Sequence, residues 1–537
     1  MCARPVNLLV FREDYKQVHS QFVKAELLRA CDDDILSALL LAGEIECGVA
    51  DVAPELACAW QPLTDAFAGA LVSGAASFDA ERVRFLIESL SLPEILTISP
   101  PEGFAYYALH PLAYADVLNV LGDLPPEVAV VGIRSIGTTM SAITSLAVQK
   151  RRLRSARITV RPQGHPYNRQ TQFTPEQLAW IAEKGRAGAA FLVVDEGPGL
   201  SGSSLISTAE ALVAAGVPAS AITLICGHQP DFDSLRAENA SNRAQMFRWI
   251  AVNPEPYQPA AAQKFIGGGE WRRLLYREEA HWPASWTSFE RLKYLTSGNG
   301  DAPSLLKFVG FGHHGNKVVT RERVVAEAGF GPATRYEDRG FAKFPWISGR
   351  PMQPEDLSES TLTRLAEYCA FRACTFPAQI QRITPLQQMA DHNLHELKLD
   401  LPVSLRLKHP VIADARMQPH EWLLTGQGQM LKTDSGTHGN DHFFPGPTDI
   451  AWDLAGTIVE WRMPPDEQEF FITSYQHASG DDPRPRLSNY IIAYVAFRCG
   501  YCTMAANASD GGEQVRLEQA AARYRAWLGR SREAAAV

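Results

Sequence analysis

The sequence of 537 residues lacks the features that mark membrane and secreted proteins. It has no apolar run of about 18 residues free of charges and helix breakers, which a membrane-spanning helix requires. Its first residues, MCARPVNLLVFRED, lack the pattern of a secretory signal peptide. The nine cysteines are an odd number at irregular spacing, so they predict no disulfide framework. We therefore expect a cytoplasmic protein with no membrane partner.

Positive charge is also in deficit, because 51 Lys and Arg residues face 60 Asp and Glu residues, for a net charge of −9. This balance disfavours a nucleic-acid backbone as a partner. Internal repeats and low-complexity tracts are absent as well. The chain is too long for one hydrophobic core, so we expect several domains. These properties favour an enzyme with small-molecule substrates, and they leave open whether it forms a homo-oligomer.

Residues 191–204, FLVVDEGPGLSGSS, combine a strand pattern with two acids and a loop of small residues. The apolar residues predict a buried parallel strand, and a helical pattern follows the loop. Asp195 and Glu196 are neighbouring acceptors that suit the two hydroxyls of a ribose. Amides and hydroxyls for a phosphate come from Gly199, Ser201, Gly202, Ser203 and Ser204. The alternative is an ordinary strand-to-helix turn, which glycine and serine also favour.

A second segment, residues 128–142 (VAVVGIRSIGTTMSA), repeats the order of apolar strand, glycine-bearing loop and helix start. Arg134 could pair with pyrophosphate oxygens. The same loop offers Ser135, Gly137 and Thr138 as further contacts. A third apolar strand is predicted over residues 221–226. Strands that alternate with helices predict an open, mostly parallel α/β sheet with ligands at the carboxyl ends of its strands.

These segments resemble the type I phosphoribosyltransferase family, whose signature is two acids followed by a loop of Thr, Gly and Ser. The resemblance implies that Asp195 and Glu196 are catalytic and bind the ribose of phosphoribosyl pyrophosphate. It also implies that the following loop binds the 5-phosphate and that residues 134–138 bind pyrophosphate. Glu196 departs from the family, in which a second Asp is usual, and the phosphate loop is one residue longer than the common form.

The family has a mobile lid, and residues 161–170 (RPQGHPYNRQ) stand where that lid is expected. The resemblance implies that Arg161, His165 and Arg169 close over the substrate. A lid would exclude water from a reactive ribosyl centre, while its cations would stabilise departing pyrophosphate. A solvated hairpin is the alternative interpretation of this segment.

The second half of the sequence begins its own pattern with a hairpin over residues 286–312. Lys307 lies in the second strand, and an inward lysine of this kind suits nucleotide phosphates. The helix that follows carries Glu322 and Glu327, and either could pair with Lys307. We take Lys307 and Glu327 as the candidate ATP-binding residues.

Residues 411–436 predict a strand, then Asp414, a polar loop, Glu421, a short hairpin and Asp434. This order resembles the aminoglycoside phosphotransferase and choline kinase family, in which a catalytic Asp, a metal-binding Asn, a hairpin and a magnesium-binding Asp follow one another. The resemblance implies that Asp414 is the catalytic base and that Glu421 and Asp434 bind magnesium. It further implies ATP phosphates on Lys307, with loop support from Asp449 and Asp453.

The kinase resemblance has clear departures. Ala413 precedes Asp414 where the family has His-Gly, and Glu421 stands where the family has Asn. A Glu can ligate magnesium, although it adds negative charge beside a polyphosphate. An insertion after Asp434 brings in His438, Asp441 and His442, which either bind a transition metal or lie on a surface loop. No Ala-Pro-Glu motif follows, which disfavours a protein kinase.

The expected architecture is a helical segment over residues 1–90, a parallel-sheet α/β phosphoribosyltransferase-like domain over 91–255, and a bilobal α+β kinase-like domain over 270–537. The expected function is that of a bifunctional transferase. One half would transfer a phosphoribosyl group from phosphoribosyl pyrophosphate with Mg²⁺, and the other would use ATP to phosphorylate a small-molecule hydroxyl. The alternative is a nucleotide-sensing regulator in which one or both halves bind a ligand without catalysis.

Overall fold

The computed structural model describes residues 8, 16–74, 78–165, 167–259, 263–296, 302–337, 339–380, 383–440, 443 and 446–535. The chain divides into two compact units. We call the first the parallel-sheet unit; it consists of Tyr15–Ala260 and Gly310–Asn316. We call the second the antiparallel-sheet unit; it consists of Met1–Asp14, Ala261–Val309 and Lys317–Val537. In the part of the chain that is described, no helix combines the length and apolar character needed to cross a membrane.

The parallel-sheet unit contains seven strands and eleven helices among its described residues. The strands are β1 (Lys16–His19), β2 (Ile95–Ile98), β3 (Glu127–Ile133), β4 (Arg154–Val160), β5 (Ala190–Val194), β6 (Ile222–Cys226) and β7 (Arg248–Ala251). The helices are α1 (Ser20–Asp33), α2 (Ile35–Val52), α3 (Pro54–Ser73), α4 (Ala80–Ser89), α5 (Glu102–Ala105), α6 (Pro111–Asp116), α7 (Leu118–Leu121), α8 (Gly137–Lys150), α9 (Pro175–Arg186), α10 (Ser203–Ala214) and α11 (Ala240–Ala244).

The main sheet of this unit is parallel, with strand order β4-β3-β5-β6-β7. Its three inner strands, β3, β5 and β6, are mostly apolar and nearly completely buried, as a sheet covered on both faces requires. The parallel α/β sheet predicted from three strands is confirmed, and β4 and β7 extend it on either side. The strand order reverses between β3 and β5, and ligands of such sheets bind outside the carboxyl ends at this point.

The helices expected at the start of the chain are present as α1 to α4. Helix α2 is buried on nearly every side, because its sequence is mostly apolar, and Glu44 and Glu46 are buried among its apolar residues. Its first turn is capped by Asp34, whose carboxylate accepts from the amides of Leu36 and Ser37. This cap and the burial make α2 a rigid support for the side chains that it carries.

The antiparallel-sheet unit has ten short strands and eight helices among its described residues. The strands are β8 (Lys264–Phe265), β9 (Lys293–Thr296), β10 (Ser304–Phe308), β11 (Arg335–Tyr336), β12 (Phe341–Pro345), β13 (Gly349–Pro351), β14 (Pro410–Val411), β15 (Trp422–Thr425), β16 (Met430–Lys432) and β17 (Thr448–Asp449). The helices are α12 (Arg272–Leu275), α13 (Gly312–Glu327), whose start belongs to the parallel-sheet unit, α14 (Glu359–Thr375), α15 (Thr384–Glu396), α16 (Ala451–Glu460), α17 (Pro465–Ser479), α18 (Arg484–Asn507) and α19 (Gly511–Ala535).

Two antiparallel sheets shape this unit: a five-stranded one of order β11-β12-β10-β9-β8 and a three-stranded one of order β13-β15-β16. The hairpin predicted around Lys307 is present as β9 and β10, while its tip lies outside the described residues. In this pair Lys307 stands directly opposite Lys293. Residues directly opposite in antiparallel strands point to the same face, so two like charges need a shared counter-ion.

Candidate active sites

The antiparallel-sheet unit brings together one oxygen or nitrogen atom each from Glu421, Asp434 and His438, all within 4.8 Å of one another. Glu421 immediately precedes β15 and Asp434 closely follows β16, so the hairpin places its two flanking acids side by side. The amide of Thr433 donates to the carbonyl of Glu421 at 2.8 Å, which extends this pairing beyond the strands. The two acids chosen from the sequence therefore meet. Asp441 and His442, the other members of the predicted insertion, lie outside the described residues.

Asp434 is the shared counter-ion of the two opposed lysines. Lys307 Nζ lies 2.7 Å from Oδ1 of Asp434, and Lys293 Nζ lies 3.3 Å from its Oδ2. Burial alone would raise the pKa of Asp434, but the two ammonium groups hold that pKa well below its usual range. For Lys307 burial outweighs the carboxylate and lowers the pKa to about 8. The backbone of Asp434 has a left-handed φ of 57°, a conformation that Asp tolerates better than most residues.

Asp414, the predicted catalytic base, is fully buried. Lys432 Nζ lies 3.2 Å from its Oδ1, and Tyr368 donates its hydroxyl to Oδ2. Burial would raise the pKa of Asp414, but Lys432, His438 and the Arg372 guanidinium hold that pKa below its usual range. Both carboxylate oxygens thus face side chains of the protein.

His438 is the residue that joins Asp414 to the acidic cluster. Its Nδ1 lies 3.6 Å from Asp414 Oδ1, while its Nε2 lies 3.8 Å from Glu421 Oε1 and 3.9 Å from Asp434 Oδ2. Burial lowers the pKa of His438, which favours the neutral imidazole. The sequence pattern pointed to His438 only as part of a possible metal loop, because its contact with Asp414 depends on the tertiary structure.

The two acids expected to support the loop that follows Asp414 each accept two backbone hydrogen bonds. Asp453 accepts from the amides of Asp414 and Ala415, both at 2.8 Å. Asp449 accepts from the amides of Lys408 and His409 at 2.7 and 2.8 Å. A carboxylate that accepts two amides fixes the backbone between them, so Asp453 fixes the start of the predicted loop. Asp449 instead fixes the two residues that precede β14.

The two glutamates of α13 occupy different environments. Glu322 is buried and accepts from the Ser435 hydroxyl at 2.7 Å and from the Gly436 amide at 2.8 Å, so it holds the segment that follows Asp434. Glu327 is exposed at the end of the helix. The described contacts of the Lys307 ammonium are with Asp434 and with Thr437, at 2.7 and 2.9 Å.

The parallel-sheet unit has its candidate site at the carboxyl ends of β3 and β5. These strands pair directly, and Asp195 and Glu196 follow β5 while Arg134 and Ser135 follow β3. Burial raises the pKa of Asp195 to about 7. Burial also raises the pKa of Glu196 well above its usual range, and its neighbouring carboxylates add to this effect. Glu196 accepts from the amide of Gly103 at 2.6 Å.

The loop between Glu196 and α10 contains two glycines with a left-handed backbone. Gly199 and Gly202 have φ values of 59° and 68°, which residues other than glycine rarely adopt. Helix α10 begins at Ser203, whose amide donates to the Ser201 hydroxyl at 3.2 Å. Ser204 lies in the first turn of the same helix. On the β3 side, a side chain at Gly132 would lie 2.1 Å from the carbonyl oxygen of Gly137, so the turn between strand and helix is tight.

Arg134, a predicted pyrophosphate-binding residue, and Arg161, a predicted lid residue, converge on an acid that the sequence did not indicate. Arg134 Nε lies 2.9 Å from Asp51 Oδ1, and Arg161 Nη2 lies 2.5 Å from Asp51 Oδ2. Asp51 stands near the end of α2, far from both arginines in sequence, and no local pattern marks it. Of the other predicted residues, Thr138 is fully buried, His165 is exposed and Arg169 is half-buried.

No family model matches the sequence, and no curated protein matches it either. Among solved structures, choline kinase LicA from Streptococcus pneumoniae is 14% identical, with 44% of this chain and 89% of that chain covered and a TM-score of 0.31. A choline/ethanolamine kinase family protein from Mesorhizobium loti is 19% identical, with 44% and 84% covered and a TM-score of 0.32. Macrolide 2'-phosphotransferase MphH from Brachybacterium faecium is 14% identical, with 47% and 94% covered and a TM-score of 0.32. Likeness of this degree does not identify a reaction.

Proposed function

We propose that the antiparallel-sheet unit transfers a phosphoryl group from ATP to a hydroxyl of a small molecule with the help of Mg²⁺. The observation that carries this proposal is the convergence of two lysines with two carboxylates and a histidine around Asp434. Phosphoryl transfer requires little covalent chemistry from the protein. It requires cations that hold the phosphates, acids that hold a metal, and a group that takes the proton of the acceptor.

The donor set suits Mg²⁺, which prefers oxygen ligands and keeps several waters. Glu421 and Asp434 would supply carboxylate oxygens, and bound Mg²⁺ would neutralise charge on the phosphates. Lys293 and Lys307 would bind phosphate oxygens in place of their present contact with Asp434. Both lysines already lie on the same face of the β9–β10 hairpin, so this exchange of partners needs only side-chain movement.

We infer that Asp414 acts as a base through His438 rather than alone. Both oxygens of Asp414 contact side chains of the protein, and His438 turns its Nδ1 to Asp414 and its Nε2 to the acidic cluster. The acceptor hydroxyl would therefore give its proton to Nε2 of a neutral His438, and Asp414 would stabilise the resulting imidazolium.

The test is ATP turnover with Mg²⁺ across a panel of amino alcohols, sugars and nucleosides, after calorimetry has measured ATP binding. We expect Asp434→Asn to abolish turnover and weaken binding of MgATP, whereas the exposed Asp466→Asn leaves both unchanged. His438→Asn should lower kcat while leaving the Kd for ATP nearly unchanged. The proposal fails if the wild type does not bind ATP, or if Asp434→Asn turns over as fast as the wild type.

A second candidate function, phosphoribosyl transfer, is favoured by the parallel-sheet unit. Asp195, Glu196 and Arg134 stand at the ends of the two strands that flank the reversal of strand order, which is where such sheets bind ligands. We propose that the acids bind the ribose hydroxyls of phosphoribosyl pyrophosphate, and that the loop before α10 binds its 5-phosphate. Calorimetry with phosphoribosyl pyrophosphate and Mg²⁺ tests this proposal, with Asp195→Ala as the variant expected to lose binding and the exposed Asp123→Asn as its control.

A regulatory function without catalysis is the alternative, and the contact of Asp51 with both Arg134 and the predicted lid residue Arg161 favours it. A carboxylate that neutralises these cations competes with a phosphate ligand. Tight binding of ATP or phosphoribosyl pyrophosphate without turnover of any acceptor, and without release of pyrophosphate, would establish this alternative. Measurable turnover that is lost in Asp434→Asn or Asp195→Ala would exclude it.

A further inference from the structure

A second cluster of metal-ligand side chains lies inside the parallel-sheet unit. Its members are Glu44 of α2 and the adjacent His313 and His314 at the start of α13. His313 Nε2 lies 3.1 Å from Glu44 Oε1, and His314 Nε2 lies 3.0 Å from the same oxygen. Glu44 and His313 are each more than nine-tenths buried. None of these residues belongs to either candidate active site.

The two imidazole nitrogens converge on a single oxygen atom, Oε1 of Glu44. The buried Oε1 of Glu44 accepts no hydrogen bond of suitable angle within the described part of the chain. A neutral imidazole that turned its lone pair to this oxygen would be repelled by it at this distance, and a positive charge among the three atoms would remove that repulsion. Protonation of both histidines could supply this positive charge. Their ring centroids are only 4.0 Å apart, however, so two like charges would then be buried side by side.

We propose that Glu44, His313 and His314 form a binding site for one Zn²⁺ ion. Two ligands at about 2.0–2.1 Å from zinc in tetrahedral geometry are about 3.3 Å apart, close to the two distances from Glu44 Oε1. Two imidazole nitrogens and one carboxylate oxygen are a common donor set for this ion. Three protein ligands leave a fourth position for water or another small ligand.

The backbone around the histidines is built for close approach to α2. Gly312 has a φ of 53°, and a side chain there would lie 2.9 Å from the Cα of Ser37 and 2.7 Å from its hydroxyl. The amide of Phe311 donates to the carbonyl of Phe104 at 3.0 Å. These contacts hold the ligand pair in position before any metal binds, and the metal in turn would fasten residues 310–316 to α2. Pre-positioned ligands favour tight binding because little ordering remains to be done.

The experiment is equilibrium dialysis of the full-length protein against Zn²⁺ in excess Mg²⁺, followed by metal analysis and zinc K-edge X-ray absorption. Excess Mg²⁺ competes for the oxygen ligands of the other cluster, Glu421 and Asp434. The wild type should retain one Zn²⁺ per chain with two imidazole ligands in the absorption spectrum. Glu44→Gln and His314→Asn should each weaken Zn²⁺ binding by about 100-fold or more, and the surface variant His19→Asn should not.

Thermal unfolding gives a readout that does not depend on activity. Zn²⁺ should raise the Tm of the wild type, and this rise should be absent in Glu44→Gln and His314→Asn. Circular dichroism of the metal-free variants establishes that they fold. The proposal is overturned if the wild type retains no Zn²⁺, if folded variants retain as much as the wild type, or if the bound zinc has fewer than two imidazole ligands.

Discussion

Replacing Asp195 by Asn is expected to stabilise the parallel-sheet unit at neutral pH and to abolish ligand binding there. Burial raises the pKa of Asp195 from its ordinary value of 3.8 to about 7. Between these two values the folded state binds more protons than the unfolded state, so the free energy of unfolding falls as pH rises. Above the pKa of Asp195 in the folded state the carboxylate is charged, so its burial lowers the free energy of unfolding by the full amount. Asn is uncharged and does not cause this destabilisation.

The magnitude follows from the two pKa values. The difference between 3.8 and about 7 corresponds to about 4 kcal/mol, because each factor of ten in proton affinity is about 1.4 kcal/mol. Asp195 is only partly buried, and solvent screening reduces this to about 2 kcal/mol. Below pH 4 the wild type and Asp195→Asn should be equally stable, and the gap should open as pH rises above about 4 and reach its full size at about pH 7.

Urea unfolding at a series of pH values measures this gap, with fluorescence and circular dichroism compared to detect separate unfolding of the two units. Asp123→Asn, an exposed acid of the same unit, is the control and should show no pH-dependent difference. A stabilised variant that no longer binds phosphoribosyl pyrophosphate would show that the site tolerates a destabilising charge for the sake of its ligand. A variant that is no more stable than the wild type at pH 8 would refute the reasoning.

Three further outcomes are expected. Asp434→Asn removes the counter-ion of two opposed lysines, so the free energy of unfolding should drop by about 3 kcal/mol in urea titration, and an unchanged value would contradict the ion-pair geometry. Asp51→Asn removes the carboxylate that contacts two arginines, so calorimetry should show pyrophosphate binding about 10-fold tighter; weaker binding would mean that Asp51 positions these arginines instead. In Gly312→Ala the alanine would have a left-handed backbone and a close contact with Ser37, so the free energy of unfolding should fall by about 2 kcal/mol. Thermal or urea unfolding measures this loss, and an unchanged value would refute the packing described.

Some of the site could be predicted from the sequence because it depends on local order along the chain. Glu421 and Asp434 flank a hairpin, and the two ends of a hairpin are adjacent in any antiparallel pair. Asp195 and Glu196 follow an apolar strand, and the carboxyl ends of parallel strands share one edge of the sheet. Spacing of a few residues was sufficient in both cases.

Other contacts connect residues that no spacing relates. Lys293 reaches Asp434 because of the register between β9 and β10, which depends on how their apolar faces pack. Asp51 meets Arg134 and Arg161 only when α2 lies beside the sheet ends, and the sequence predicted α2 merely as part of a helical segment.

By itself, the sequence determined the parallel α/β sheet, the acids after β5 and the acids that flank the β15–β16 hairpin, because short-range patterns of apolar, acidic and small residues encode them. The tertiary structure alone decided which cations face those acids and which acid faces the arginines. It also decided that Glu44 meets His313 and His314 from a distant part of the chain. Such contacts form because the packing of residues 310–316 on α2 brings together side chains that are far apart in the sequence.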